Sequence, residues 1–496
     1  MLDFSNHFKA FSPELFMIIA LCFIFSYGIV YSTSLSYGRP IIVKNISWLI
    51  IQVFIITCFL IANNPIEMSI FSDTIVIDQF GASAKTVVLL AAIGCFLVSF
   101  RYTKTEKLSY FEYPILIMLA ILGIFLIISS GDLITMYLGI ELQSLSLYVL
   151  ASLKKDSAFS TESGLKYFIL GALSSGLILF GCSLIYGFTG TTNLTDISYA
   201  LFDFTSTTGM SFGLILLGLC FVVSGLLFKL AAAPFHMWSP DVYEGAPTSV
   251  STFFAIVPKI AIITLLVRLL YFSFSDFTAF WNQIIIASSF ISMLIGAFGA
   301  VQQKKIKRLL AYSSIGHVGY MLVGMATGTF MGIKGLFLYI VIYMITSLGI
   351  WTTVLSLEFK NKYGRVKYLT DLTSLSKTNP LLAITISLIM FSMAGVPPLA
   401  GFFAKMYIFL AAIDSSLYLL AVVAVLTSCV GAYYYMRLIK IMYFEKVSTW
   451  NAFNNIGREN SLILGLSTTF ILLFMLMPQP FLLAWHEMAY SICLYS

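Results

Sequence analysis

The chain has 496 residues, of which 59% are hydrophobic and only 10% are charged, and its mean hydropathy is +0.95. A soluble domain has about 25% charged residues, so this composition excludes a soluble globule and predicts a membrane protein. The net charge of +6 does not indicate nucleic-acid binding, because the basic residues lie in short loops between apolar runs and not on one solvated face.

Fourteen apolar runs have the length of about 20 residues that a membrane-spanning helix needs. They begin near Glu14, Ile46, Ser83, Tyr113, Gly131, Glu162, Gly209, Thr248, Ala279, Leu309, Gly332, Pro380, Leu417 and Ser461. They predict an all-α polytopic membrane protein with a single membrane domain, 1–496. Within it we expect helices 1–3 in 1–111, helices 4–8 in 112–272, helices 9–13 in 279–444 and a last helix in 460–496.

Basic residues concentrate in alternate loops between these runs. Twenty of the 28 do so: Arg39, Lys44, Arg101, Lys104, Lys107, Lys154, Lys155, Lys304, Lys305, Lys307, Arg308, Lys360, Lys362, Arg365, Lys367, Lys377, Arg437, Lys440, Lys446 and Arg458. Only Lys9, Lys85 and Lys334 are assigned to the opposite loops, which carry acidic residues such as Asp73 and Asp276. By the positive-inside rule, the basic loops face the cytoplasm-equivalent side, and both termini lie on the other side.

Two runs contain helix breakers at membrane depth. The seventh ends in FKLAAAPFHMWSPDVYEGAPT, and the twelfth reads FSMAGVPPLAGFFAK. Proline removes a backbone donor and collides with the preceding turn, so both helices should be discontinuous. Each break falls in the fourth helix of a set of five, in helices 4–8 and helices 9–13. Because five is odd, the second set enters the membrane from the opposite side, which predicts two inverted repeats with broken helices near an ion site.

Seven charged residues remain at or near membrane depth: Asp132, Glu141, Lys166, Lys229, Lys259, Arg268 and Lys405. A charge at the bilayer centre costs at least about 2.5–3.5 kcal/mol, so each requires a reason. Burial favours the neutral form of a lysine, and a nearby carboxylate favours the charged form. A row of such groups, bridged by hydroxyls and water, can pass protons and can respond to any event that moves a charge.

Structural explanations exist for some of these residues. Glu141 could pair with a lysine only to fix helix packing, and Lys166 is close enough to the end of its run to reach the interface. Arg268 is better explained as an interfacial anchor, and Asp132 as a helix cap. The lysines beside the two breaks, Lys229 and Lys405, and the mid-depth Lys259 are harder to explain by packing alone.

No motif indicates a bound cofactor or metal. The seven cysteines are scattered and form no C-x-x-C pair, and the chain has neither a G-x-G-x-x-G nor a Walker A motif. His236 and His317 have no second ligand at metal-binding spacing. A histidine among small polar residues is often a packing residue, but its ordinary pKa near 6.5 also suits a proton relay. The first residues show no targeting signal, so we expect none to be removed.

Four motifs resemble one family: GIELQSLSLYVLASLKKDSAFSTESGLKYFILGALSSG, FKLAAAPFHMWSPDVYEGAPT, KIKRLLAYSSIGHVGY and SMAGVPPLAGFFAKMYIF. Together they are similar to the proton-translocating, antiporter-like subunits of respiratory complex I, over essentially the whole chain. The resemblance implies a proton relay of Glu141, Lys166, Lys229, Lys259 and Lys405. It pairs Lys166 with Glu141, whereas His317 and His236 remain possible members.

The resemblance also implies partners and location. It predicts other membrane-arm subunits and lipids as partners, protons as the transported ion, and no nucleic acid. NADH, FMN, iron–sulfur clusters and ubiquinone are expected in other subunits, with no cofactor bound by this chain. The largest antiporter-like subunit has a long lateral helix after its core, but only about 15 residues follow Pro480 in this chain. The middle antiporter-like subunit has a glutamate at the position of Lys405. This chain therefore resembles neither of those two subunits most closely. The expected location is the mitochondrial inner membrane, with the bacterial plasma membrane as the alternative.

Three other functions fit the sequence less well. A subunit of a multi-subunit cation/proton antiporter would share the same core, and it is the main alternative. A purely structural membrane scaffold would not need charges at mid-depth. A quinone-reducing enzyme in its own right would need a flavin, haem or metal site, and the sequence shows no motif for one.

Overall fold

The structure is a computed structural model that describes residues 2–32, 41–64, 67–106, 108, 110–204, 210–360, 364–373, 375–445 and 452–493. These residues form twenty α-helices and one small antiparallel hairpin. Four of the basic residues assigned to loops, Arg39, Lys107, Lys362 and Lys446, lie outside the described residues.

The N-terminal part consists of four helices and the hairpin. In chain order it comprises α1 (Leu2–Ala10), α2 (Ser12–Ser32), α3 (Ile41–Ala62), β1 (Met68–Ile70), β2 (Ile75–Ile77) and α4 (Gln79–Thr105). In the hairpin, Met68 pairs with Ile77 and Ile70 with Ile75. Asp78 caps α4 by accepting a hydrogen bond from the Gly81 N–H at 2.8 Å, which satisfies one of the free donors of the first turn.

The central part contains the next seven helices and two short irregular turns. They are α5 (Glu112–Ile128), α6 (Leu133–Ala151), α7 (Ala158–Thr189), α8 (Leu194–Phe204), α9 (Met210–Leu230), α10 (Trp238–Gly245), α11 (Thr248–Arg268), a π-helical turn (Leu269–Ser273) and a 3₁₀ turn (Ser275–Phe277). Every residue of α11 is buried, so this helix forms an axis around which α4, α5, α9 and α10 pack. Asp132 caps α6 by accepting from the Ile134 N–H, as the sequence predicts.

The C-terminal part contains nine helices and one 3₁₀ turn. They are α12 (Thr278–Val301), α13 (Ile306–Ala326), α14 (Phe330–Ser356), the 3₁₀ turn (Leu369–Leu372), α15 (Leu375–Thr378), α16 (Pro380–Ala394), α17 (Ala400–Asp414), α18 (Tyr418–Tyr443), α19 (Arg458–Leu473) and α20 (Gln479–Cys493). Among the described residues, eleven helices are long and apolar enough to cross a membrane, and α5 and α16 are shorter apolar helices.

The predicted all-α polytopic membrane fold is confirmed, and each of the fourteen predicted runs contains a helix. The inverted pairing of helices 4–8 with 9–13 and the domain limits drawn from it stay predictions. Several of the basic residues assigned to loops lie instead in the end turns of helices, and for Lys85 the assignment to a loop is wrong. Lys85 is buried in α4, where its ammonium pairs with the equally buried carboxylate of Glu14 in α2.

Both predicted helix interruptions are present. Residues 231–237 separate α9 from α10, and residues 395–399 separate α16 from α17. Gly395 ends α16 in the left-handed region, with φ of 89°, and a Cβ there would come within 3.0 Å of the Lys405 side chain. Only glycine satisfies the backbone and the close approach together. The second break therefore depends on Gly395 and on the two prolines that follow it.

The basic loops gather at one end of the bundle. Lys154 Nζ lies 2.7 Å from a Glu106 carboxylate oxygen, and Arg365 Nε donates to the same carboxylate at 3.1 Å. Arg437 donates to the Val301 carbonyl at 2.9 Å. The hairpin and the turn between α5 and α6 lie at the opposite end, where the Gly131 N–H donates to the Thr74 carbonyl. The separation of basic from acidic ends matches the charge pattern of the sequence.

Candidate functional site: a buried row of lysines, tyrosines and a histidine

Lys229 and Lys259 face the same small cavity. The cavity has a volume of about 10 Å³, close to the space that one water molecule occupies, and Gln143 and Ser144 of α6 also line it. Lys229 Nζ donates to the Tyr148 hydroxyl at 3.1 Å. The break after α9 thus places one lysine at the cavity wall, and the axial helix α11 supplies the second.

Lys259 lies among buried helices and tyrosine side chains. It is 3% exposed, and its Nζ has no hydrogen-bond partner among the described residues. Pro258 cannot donate to the Phe254 carbonyl, but the Tyr243 hydroxyl donates to it at 3.3 Å. The Tyr343 hydroxyl donates to the Ala255 carbonyl at 3.2 Å. The neighbouring backbone is satisfied by tyrosines, and the Lys259 ammonium lies over the face of the Tyr343 ring, 5.6 Å from its centre.

Lys405 lies in α17 just after the second break and is buried. Its Nζ donates to the Ala394 carbonyl at 2.8 Å. That carbonyl is at the C-terminal end of α16, where the helix leaves its last carbonyls without intrahelical partners. The interruption of the helix therefore creates an acceptor for this lysine inside the membrane domain. The Tyr320 ring lies 5.3 Å from the same Nζ.

His317 lies between the two buried lysines Lys259 and Lys405. Its Nδ1 is 2.7 Å from the Tyr339 hydroxyl, and its Nε2 is 3.1 Å from the Tyr435 hydroxyl. Its ring centre is 5.2 Å from that of Tyr343, which contacts Lys259, and 6.3 Å from that of Tyr320, which contacts Lys405. We call Lys229, Lys259, His317 and Lys405, with the tyrosines Tyr148, Tyr320, Tyr339, Tyr343 and Tyr435, the central row.

Glu141 lies beside one end of this row. It is half-buried on α6, and its Oε1 has no hydrogen-bond partner among the described residues. The Ser144 hydroxyl is 3.5 Å from its Oε2. The carboxylate is close enough to Lys229 to interact with it electrostatically. Because Oε1 makes no hydrogen bond to the described residues, Glu141 can gain or lose a proton without breaking a packing contact.

Lys166 is placed apart from Glu141. Its side chain is 43% exposed, and its Nζ is 2.7 Å from Glu162 and 3.3 Å from Asp241. Arg308 contacts the same Asp241 at 3.3 Å. Lys166 thus belongs to an ion cluster at the basic end, and the structure does not join it to the central row. His236 lies in the break before α10, where its buried Nδ1 has no partner among the described residues, and it does not contact the row either.

The sequence alone did not identify the tyrosines of the row. Each lies in an apolar run rich in aromatic residues, where tyrosine is an ordinary packing residue. A signal existed in α14, because Tyr339 and Tyr343 are four residues apart and lie on one helical face. Within the described ranges, no group of three or more His, Cys, Asp or Glu side chains could hold a metal ion.

Comparisons with known proteins identify the family. Residues 130–431 match the family described as NADH:quinone oxidoreductase/Mrp antiporter, TM. The chain is 46% identical to NADH-ubiquinone oxidoreductase chain 2 of Marchantia polymorpha, over 99% of this chain and 100% of that relative. The chain belongs to this family. A second family member, NADH-quinone oxidoreductase subunit N of Parvibaculum lavamentivorans, is 45% identical over 87% of each chain.

The fold agrees with that of a chain in a solved structure of respiratory complex I. A chain in the structure of respiratory complex I from Thermus thermophilus with bound aureothin has a TM-score of 0.78 and 27% identity. The match covers 95% of this chain and 98% of that one. The resemblance seen in the four motifs is confirmed, and the similar relatives carry the names chain 2 and subunit N.

Proposed function

We propose that this chain is a proton-translocating membrane-arm subunit of respiratory complex I, of the type named chain 2 in plants and subunit N in bacteria. It works with other subunits that oxidise NADH and reduce quinone, and it carries no redox group itself. The observation that carries the proposal is the central row, in which Lys229, Lys259 and Lys405 are linked through tyrosines and His317 inside the membrane domain. The 46% identity to a relative of that name supports the assembly.

The relay works by changes of charge. A change at Glu141 alters the stability of the ammonium on Lys229, which shares a cavity with Lys259. His317 then connects Lys259 to Lys405 through the rings of Tyr343 and Tyr320. Lys166 acts from the basic end, where its contact with Asp241 ties it to the short helix that follows the first break. We place His236 at the same end, as a possible acceptor from water at the break.

The proposal is tested on the assembled complex with one substitution in the row. Lys229→Met should leave the complex at its normal size on a native gel and should lower proton pumping into vesicles driven by NADH. Lys304→Met, which changes an exposed lysine at the basic end, is the matched control and should pump normally. Cation-dependent proton exchange without NADH oxidation would contradict the proposal and favour the cation/proton antiporter.

Two further parts of the proposal have simple tests. The chain purified alone should show no absorbance in the visible range, because NADH, FMN, the iron–sulfur clusters and ubiquinone bind to other subunits. A stoichiometric flavin or haem would contradict this. We also propose the mitochondrial inner membrane as its location, since the chain is rich in Phe and Tyr and is similar to plant relatives. Recovery only in a bacterial plasma membrane would contradict that assignment.

A further inference from the structure

The short helix α10 contacts three separate parts of the membrane domain. The Trp238 indole N–H donates to the Phe228 carbonyl near the end of α9 at 2.9 Å. Asp241 lies 3.3 Å from Lys166 and so belongs to the ion cluster at the basic end. A buried tyrosine of the same helix, Tyr243, contacts α11. One helix of eight residues therefore joins the first break, the basic end and α11.

Tyr243 contacts α11 where Pro258 interrupts the hydrogen bonds of that helix. A helical residue normally donates its N–H to the carbonyl four residues earlier, but proline has no N–H. The Phe254 carbonyl therefore lacks its usual donor within α11. The Tyr243 hydroxyl donates to this carbonyl at 3.3 Å, and both residues are buried. A side chain of α10 thus replaces the hydrogen bond that the proline removes from α11.

The same turn of α11 leads directly into Lys259. Helical side chains lean towards the N-terminus of their helix, so the stem of Lys259 leans over residues 254–258. The next carbonyl of this turn, that of Ala255, accepts from the Tyr343 hydroxyl of α14 at 3.2 Å. Two tyrosines from different helices thus occupy two consecutive carbonyls beside a lysine whose Nζ has no hydrogen-bond partner in the part of the chain that the structure describes.

We propose that Tyr243 is a positioning residue for Lys259 in the relay, a role that rests on the function proposed above. Its hydroxyl holds the Phe254 carbonyl and so keeps that oxygen from accepting a hydrogen bond from the Lys259 ammonium. Because α10 also carries Asp241, a change of charge at Lys166 that displaces α10 alters the contact beside Lys259. This gives Lys166, which has no direct contact with the central row, a route to it.

Removing the hydroxyl alone tests this role in the assembled complex. Tyr243→Phe keeps the ring, which packs edge-on against Trp238 and Trp351, and leaves the Phe254 carbonyl free to accept from Lys259. A hydrogen bond to a charged group changes an equilibrium constant about ten- to a hundredfold. Because the ammonium then gains a fixed partner and responds less to charges around it, the rate of proton pumping driven by NADH should fall at least about tenfold.

A second substitution separates this role from a general packing role. Pro258→Ala supplies the missing N–H to the Phe254 carbonyl, so in that background the Tyr243 hydroxyl should no longer matter. The double variant should therefore move as many protons per electron pair as Pro258→Ala alone. Tyr271→Phe is the matched control and should pump normally, because it removes a hydroxyl that donates to a different backbone carbonyl, that of Met325, at 2.6 Å.

Two results would overturn the inference: parental pumping by Tyr243→Phe, or an equal loss with and without Pro258→Ala. If Tyr243→Phe does not assemble, the comparison of the double variant with Pro258→Ala decides, and failure of the double variant to assemble would also overturn the inference, because the hydroxyl would then serve folding.

Lys229→Met separates this inference from the function on which it rests. Normal pumping by Lys229→Met would contradict the proposed function itself. Impaired pumping by Lys229→Met together with normal pumping by Tyr243→Phe would overturn only the role of Tyr243.

Discussion

Replacing Lys259 tests the centre of the proposed relay. The ammonium of this lysine has no hydrogen-bond partner among the described residues, so Lys259→Met removes a charge without leaving a neighbouring group unsatisfied. The structure therefore predicts normal assembly of this variant. Removing a buried charge even relieves a cost of at least about 2.5–3.5 kcal/mol. A loss of function could then not be attributed to misfolding.

The size of the effect on the row follows from the geometry. Lys259 Nζ is 5.6 Å from the centre of the Tyr343 ring, and that centre is 5.2 Å from the centre of His317. The lysine and the histidine are thus at most about 11 Å apart. At an effective dielectric constant of about 20, two unit charges at that distance interact by about 1.5 kcal/mol. This corresponds to about a tenfold change in the proton-binding equilibrium constant.

The assay compares proton uptake with NADH oxidation in the same vesicles. Lys259→Met should lower the number of protons moved per electron pair, and it should slow electron transfer because the two processes are coupled. Lys259→Arg should fail nearly as badly, since a guanidinium keeps its proton at any accessible pH. Lys304→Met serves as the control. Normal assembly of Lys259→Met together with the parental proton-to-electron ratio would refute the relay at its centre.

Three further predictions concern other parts of the molecule. A cysteine placed at Lys305 should react with a membrane-impermeant reagent only from the matrix or cytoplasmic side, and labelling from the other side would reverse the orientation. Lys85→Met should destabilise the chain by about 3–5 kcal/mol, because it leaves Glu14 buried and unpaired. Adding Glu14→Leu to the same chain should restore most of the thermal stability. If the two substitutions instead lower the stability additively, the pair is not coupled. Burial opposes ionisation of Glu106, but Lys154 and Arg365 outweigh it and lower its pKa, while the bond to Glu106 raises the pKa of Lys154. The stabilisation that Glu106→Gln removes should therefore be constant from about pH 5 to 10. It should decrease as acid protonates Glu106 and as base deprotonates Lys154, and a change near pH 7 in thermal melts of the two proteins would contradict this.

Features that depend on local sequence could be predicted well. Proline and glycine at membrane depth have few structural meanings, so both breaks were located from residues such as Pro234 and Gly395. Charge in an apolar run is costly, so Lys229, Lys259 and Lys405 stood out without a structure. The alternation of basic loops along the chain predicted which loops lie together at one end of the bundle, because charged side chains are costly inside the membrane.

Features that depend on pairing between distant helices could not be predicted. Lys85 is close to the start of its helix, and nothing in its neighbourhood indicates that Glu14, 71 residues earlier, is its partner. Lys166 was paired with Glu141 by resemblance, but its contacts are with Glu162 and Asp241. Short α10 brings Asp241 back towards α7, and the path of the chain after a break is not visible in hydrophobic periodicity.

The three lysines of the central row differ in what accepts a hydrogen bond from them. Lys229 has the Tyr148 hydroxyl, Lys405 has the Ala394 carbonyl, and Lys259 has no acceptor among the described residues. An ammonium without acceptors in a buried site is held only by the charges around it. Proton binding at Lys259 therefore depends most on changes of charge in neighbouring groups. Lys229 and Lys405 can instead hold a proton through a fixed hydrogen bond. In the proposed relay, we therefore expect the row to resist leakage at Lys259 and to conduct when Glu141 or His317 changes charge, with Lys259 held in α11, a helix whose residues are all buried.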